Sequence, residues 1–129
     1  MPHEATPMIQ QIGQVAIPVR DLVRAIAFYR DALGLKFLFQ APPALAFFDC
    51  SGVRLMLSVP EDREFAQHSS VLYFKVPDIR RSHTDLQGRG VRFTGEPHLI
   101  AHMPDHELWM AFFQDTEGNT MALMCEVRA

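Results

Sequence analysis

The stretch Val15-Ala-Ile-Pro-Val-Arg-Asp21-Leu22 returns as Leu72-Tyr-Phe-Lys-Val-Pro-Asp78-Ile79, offset by 57 residues from Asp21 to Asp78. In both, apolar residues alternate along a short run that ends in Asp and a helix-like segment. Alternation is the period of a half-buried strand. Asp is a strong helix N-cap, because its carboxylate accepts the unpaired amide N–H groups of the first turn. The echo continues outward. Gly34-Leu-Lys-Phe37 matches Gly90-Val-Arg-Phe93, with one residue fewer in the second copy. Further on, Phe47-Phe-Asp-Cys-Ser-Gly52-Val-Arg-Leu-Met-Leu57 parallels Phe112-Phe-Gln-Asp-Thr-Glu-Gly118-Asn-Thr-Met-Ala-Leu123. Three matches in one order read as a duplication, each copy being one supersecondary unit.

Each copy reads as strand, helix and three strands. Leu22, Ile26, Tyr29 and Leu33 recur at helical spacing before Gly34 ends the helix. Asp78 starts a second helix through about Gln87, closed by Gly88 and Gly90. Strand composition and turn punctuation mark 36–40, 44–50 and 53–59 in copy one, and 91–94, 107–114 and 119–126 in copy two. Residues 1–129 are therefore expected to form a single α+β domain. Module one spans about 12–60, a polar linker about 60–68, and module two about 69–127. Two βαβββ modules would form a curved mixed sheet around a cleft, with helices outside.

Composition narrows the function classes. A chain of 129 residues with 48% hydrophobic and 21% charged residues can bury a core without staples. Twelve basic against fifteen acidic residues give a net charge of −3, which leaves no electrostatic footprint for nucleic acid or an anionic membrane. Cys50 and Cys125 make no CxxC spacing, and Met1–Gln11 carries neither the basic nor the apolar run of a secretory signal. No apolar run approaches membrane-spanning length. A cytoplasmic location is expected.

The duplicated module resembles the vicinal oxygen chelate superfamily of glyoxalase I, bleomycin-resistance proteins, methylmalonyl-CoA epimerases and extradiol dioxygenases. The resemblance rests on Val19-Arg-Asp-Leu22, Ala27-Phe-Tyr29, Leu33-Gly34 and Phe113-Gln-Asp-Thr-Glu-Gly-Asn119. The last is similar to that superfamily's F-x-D-P-x-G-N signature, with Thr116 in place of Pro. The resemblance implies a divalent metal held by one residue from the first and last strand of each module. Carried over on the Asp and Gly anchors, those positions are Gln14, Met56, Val71 and Ala122. One glyoxalase I subgroup uses Gln at the first position. Val71 and Ala122 have no donor atom, and the Met56 thioether is too soft for hard divalent ions. No cofactor is expected, a divalent metal being the alternative.

Parity places Arg54, Ser58, Tyr73, Lys75, Thr120 and Met124 on the same strand faces as those four. Arg54 and Lys75 are the expected grips for an anionic group on a mostly apolar ligand. The faces of 44–50 and 107–114 stay unassigned, because the copies differ in length there. His98, His102 and His106 cannot share a helix face, since Pro97 and Pro104 interrupt the segment. Glu96–His106 therefore reads as a rim loop, with His102 the candidate acid or base. Trp109 is a candidate ring at the cleft rim, and both thiols read as small apolar residues. The expected function is binding or transformation of a small organic molecule without the usual metal. The alternative is a metal-dependent lyase or isomerase using Gln14 with His98 and His102. A homodimer is expected to close open sheet edges.

Overall fold

In a computed structural model, which describes residues 8–60 and 70–128, Asp21 starts a helix as the sequence requires. Its Oδ1 accepts from the Arg24 amide at 3.0 Å. Helix α1, Leu22–Ala27, runs on as a π-helical turn over Phe28–Ala32. Gly34 then takes φ +75, a left-handed conformation that a side chain would strain, and ends it. Helix α2, Ile79–Gly88, begins the same way, with Asp78 Oδ1 accepting from the Arg81 amide at 3.2 Å.

Each module forms its own sheet. In module one the strands are β1 (Gln14–Pro18), β2 (Lys36–Ala41), β3 (Leu45–Cys50) and β4 (Val53–Ser58), in the order β1-β4-β3-β2. Module two contributes β5 (Leu72–Lys75), β6 (Arg92–Phe93), β7 (His98–His102), β8 (Glu107–Gln114) and β9 (Thr120–Val127), ordered β5-β9-β8-β6 with β7 also on β8. First and last strands of each module are parallel neighbours, β1 with β4 and β5 with β9. Strand β7 corrects the sequence reading. Glu96–His106 is not simply a loop: His98–His102 pairs antiparallel with β8, with a register shift between Leu99 and Ala101. Apart from Pro60, the polar linker lies outside the described residues.

One face of each sheet is apolar and covered by a helix. Ile17, Ala46, Phe48, Leu55 and Leu57 form that face in module one, and Ala111, Phe113, Met121, Leu123 and Cys125 in module two. They join Ala25, Ile26, Tyr29 and Ile79 in one buried cluster that crosses both modules.

A polar turn between β8 and β9 fastens the modules together. Glu117 Oε1 accepts from the backbone amides of Arg20 at 2.7 Å and Asp21 at 2.8 Å, and Oε2 pairs with Arg24 Nη2 at 2.8 Å. Asp115 Oδ2 accepts from the Tyr29 hydroxyl at 2.7 Å, and Asn119 Nδ2 donates to the Pro18 carbonyl at 2.9 Å. The Asp, Glu and Asn of the 113–119 motif are thus structural. Each reaches across to β1, to α1 and its cap, or to the π-helical turn that follows it.

Candidate functional site

Most of the sequence-predicted site residues lie on the faces turned away from the helices. Across sheet one, cross-strand partners share a face. Gln14 is opposite Arg54, Ala16 opposite Met56, Met56 opposite Phe47, and Phe47 opposite Phe39. Phe39 and Phe47 stack with ring centroids 4.7 Å apart. The Arg54 guanidinium lies over the Phe47 ring at 5.8 Å, and Gln14 Nε2 donates to Met56 Sδ at 3.7 Å. No carboxylate pairs with Arg54 among the described residues. Asp49 is its cross-strand neighbour on β3 but makes no ion pair with it, and the guanidinium rests instead on the π-face of a ring, which attracts a cation less than an anion does.

On sheet two, Tyr73, Ala122 and Phe112 make one row, and Lys75, Met124, Met110 and His98 the next. The Tyr73 ring meets Phe112 edge-on at 6.3 Å, and His98 lies 6.2 Å from the same ring. Ala122 is fully buried, whereas Tyr73 is half exposed. Lys75 differs from Arg54 in one decisive respect: its Nζ pairs with Glu126 Oε2 at 3.3 Å. Tyr73 and Lys75 also border a groove of about 380 Å³ floored by Leu33, Leu35, Leu86 and Leu123. Val71 directly precedes β5 and is partly exposed.

Gln14, Arg54 and Met56 therefore come together on one face, and Tyr73, Lys75 and Ala122 on another. Among the described residues no hydrogen bond, ion pair or ring contact joins the two sets. Trp109 joins neither. It pairs with buried Cys125 across β8 and β9, on the helix side of the sheet, where Arg80 of α2 covers its ring at 5.4 Å. His102 ends β7, with Nδ1 3.4 Å from Glu107 Oε2 and most of its side chain in solvent. Cys125 is buried, and burial followed by the Asp49 charge raises the Cys50 thiol above its ordinary range, away from nucleophilic form.

The ligand set implied for a divalent metal does not fit these residues. Ala122 and Val71 bring no donor, and the Gln14 amide is engaged with a thioether. Among the described residues no three of His, Cys, Asp or Glu stand close enough to hold an ion. Sequence reasoning missed Phe39, Phe47 and Phe112. A strand such as Leu45-Ala-Phe-Phe-Asp-Cys50 is apolar at almost every position, so alternation gave no face.

A duplicated βαβββ unit, with each sheet backed by a helix and open on its other face, defines the class of fold. The chain belongs to the Glyoxalase/Bleomycin resistance protein/Dioxygenase superfamily, whose family model matches residues 11–123. An uncharacterised protein of Bacillus subtilis (strain 168), YraH, is 29% identical, over 74% of this chain and 91% of that protein. The crystal structure of lactoylglutathione lyase from Agrobacterium tumefaciens superposes with a TM-score of 0.73 at 22% identity, covering 92% of this chain and 96% of that one. TnmS3, an antibiotic-binding protein from Streptomyces sp. CB03234, superposes with a TM-score of 0.71 at 22% identity, covering 94% and 99%. At such identities the two structures establish the fold alone. Among the described residues no helix is long and apolar enough to cross a membrane.

Proposed function

We propose that the protein binds a small, mostly apolar or aromatic organic molecule carrying one anionic group, on the open faces of its sheets and without a resident divalent metal. Binding, rather than turnover, is the proposed activity, in a cytoplasmic homodimer. The observation that carries the reading is Arg54: a guanidinium without a carboxylate partner among the described residues, lying over Phe47 beside Phe39, Met56 and Gln14. A charge-assisted bond to a ligand carboxylate would supply the partner it lacks, while the stacked rings and thioether take the apolar body. Lys75, already paired with Glu126, is the weaker grip. That TnmS3 binds an antibiotic supports binding as an activity this scaffold can have. The rival metal-dependent lyase draws no support from His98 or His102. The first stacks toward Phe112 and the second pairs with Glu107.

A thermal-shift screen of aromatic carboxylates and their neutral amides tests the reading, with metal content measured on the same preparation. Aromatic carboxylates should stabilise the wild type, and Arg54→Ala should weaken them about tenfold or more while leaving amides unaffected. Equal binding of carboxylates and amides, or about one divalent metal per chain that disappears in Gln14→Ala, would overturn it.

A further inference from the structure

Where α1 meets module two, three arginines border one cavity of about 700 Å³. Arg20 precedes the Asp21 cap, Arg24 lies in the first turn of α1, and Arg92 is on β6. Thr94 and Thr116 line the same recess. In a chain whose net charge is −3, this is a local concentration of positive charge.

The neighbouring carboxylates, Glu117 and Asp115, offset part of it, and three arginines against two carboxylates leave a local excess of one positive charge. Glu117 is occupied by the amides of Arg20 and Asp21, the Thr116 hydroxyl and the Arg24 side chain. Asp115, which also lines the recess, accepts from the amides of Glu117 and Asn119, the Tyr29 hydroxyl and the Asn119 side chain. Arg24 is consumed by Glu117. The guanidinium groups of Arg20 and Arg92 have neither ion pair nor hydrogen bond among the described residues.

Like charges held around one recess repel each other, and an anion between them turns that repulsion into attraction. Guanidinium groups bind oxyanions in planar, two-point fashion, and two unpaired guanidinium groups bordering one recess suit the three free oxygens of a phosphoryl group better than the two of a single carboxylate. We propose that this recess is a phosphoryl-binding site built from the unpaired guanidinium groups of Arg20 and Arg92, with Arg24 beside them; the Thr94 and Thr116 hydroxyls already donate to the Phe112 carbonyl and to Glu117. Neither Arg54 nor the rings around it line the recess, and the proposal does not depend on what Arg54 binds. Its occupant is either free phosphate or a phosphorylated small molecule.

Calorimetric titration of the full chain at low ionic strength tests the proposal, with inorganic phosphate, pyrophosphate, phenyl phosphate and citrate as probes. At least one phosphoryl probe should bind one per chain, more tightly than citrate. It should move the amide resonances of Gly90, Thr94, Thr116 and Gly118. Arg20→Gln and Arg92→Gln should each weaken it about tenfold. Arg81→Gln, on an exposed helix face elsewhere, should leave it unchanged. Both recess residues lie at the surface, so the melting temperatures without anion should match the wild type. Phenyl phosphate binding above inorganic phosphate assigns the site to a phosphorylated molecule, and the reverse order to the free ion. Three results overturn the proposal: no heat and no amide shifts up to about 10 mM phosphoryl probe, citrate bound more tightly than every phosphoryl probe, or Arg81→Gln as damaging as the recess variants.

Discussion

A single carboxylate, Glu117, carries much of the fastening between modules. Its side chain is 1% exposed. Burial alone would raise its pKa. The amides of Asp21 and Arg20, the Thr116 hydroxyl and the Arg24 guanidinium outweigh it and hold the carboxyl below the ordinary range. A carboxyl depressed on folding contributes stability that is present above the unfolded-state value, near about 4.3, and lost as pH falls through the folded value. Glu117→Gln should therefore cost about 1.5–3 kcal/mol in urea unfolding near neutral pH. The gap from wild type should narrow as pH falls below about 4.3 and through the depressed folded value, because only the wild type has a charged contact to lose. A gap that stays constant down to pH 3 would mean that the charge contributes nothing. The helix caps were legible at this scale, since Asp21, Asp78 and Gly34 act on neighbours within four residues. The partners of Glu117 were not. Arg20 lies 97 positions away, and nothing local in either segment points to the other.

On one strand, β3, two neighbouring rings serve opposite faces. Phe48 is fully buried beneath α1, with the Tyr29 and Phe37 rings against it. Phe47 faces the other way, under Arg54 and Phe39. Phe48→Ala should lower stability by about 3–5 kcal/mol, the usual loss for a buried ring. Phe47 is 9% exposed but covered by the Arg54 and Phe39 side chains, so Phe47→Ala should cost less stability and also weaken binding of aromatic carboxylates, read from the same denaturation and thermal-shift curves. If the two variants lose equal stability, Phe47 is a core residue and the open face is not a ligand platform. Sequence gave the existence of this strand and not its orientation, for lack of polar residues to mark the solvent side. Strand β7 illustrates a different failure. Pro97 and Pro104 forbid a helix, yet both lie just outside His98–His102, so they bound a strand that the sequence reading took for a loop.

At the scale of the molecule, β1 and β5 each have a strand on one side only, and Phe39, Tyr73, Leu99 and Ile100 remain exposed. Free edges and apolar faces of this kind favour pairing with a second copy. Light scattering at micromolar concentration should return twice the chain mass of 14.7 kDa, and a monomer under those conditions would count against the homodimer. The two-module architecture was legible because duplication writes the same spacing twice. How the modules meet was not, because contacts between copies leave no periodic trace.

The β8–β9 turn records how far the two copies have drifted apart. At the place of Tyr29 the second helix has Leu86, and at the place of Glu117 the first module has Ser51. One copy now carries only the plug and the other only the socket. Two first modules, or two second modules, would lack this polar fastening between them, whatever their apolar surfaces contribute. The halves have given up self-recognition for recognition of a sibling, and that makes their union directional. Expressed as separate polypeptides, they should assemble as a one-to-one pair of unlike halves.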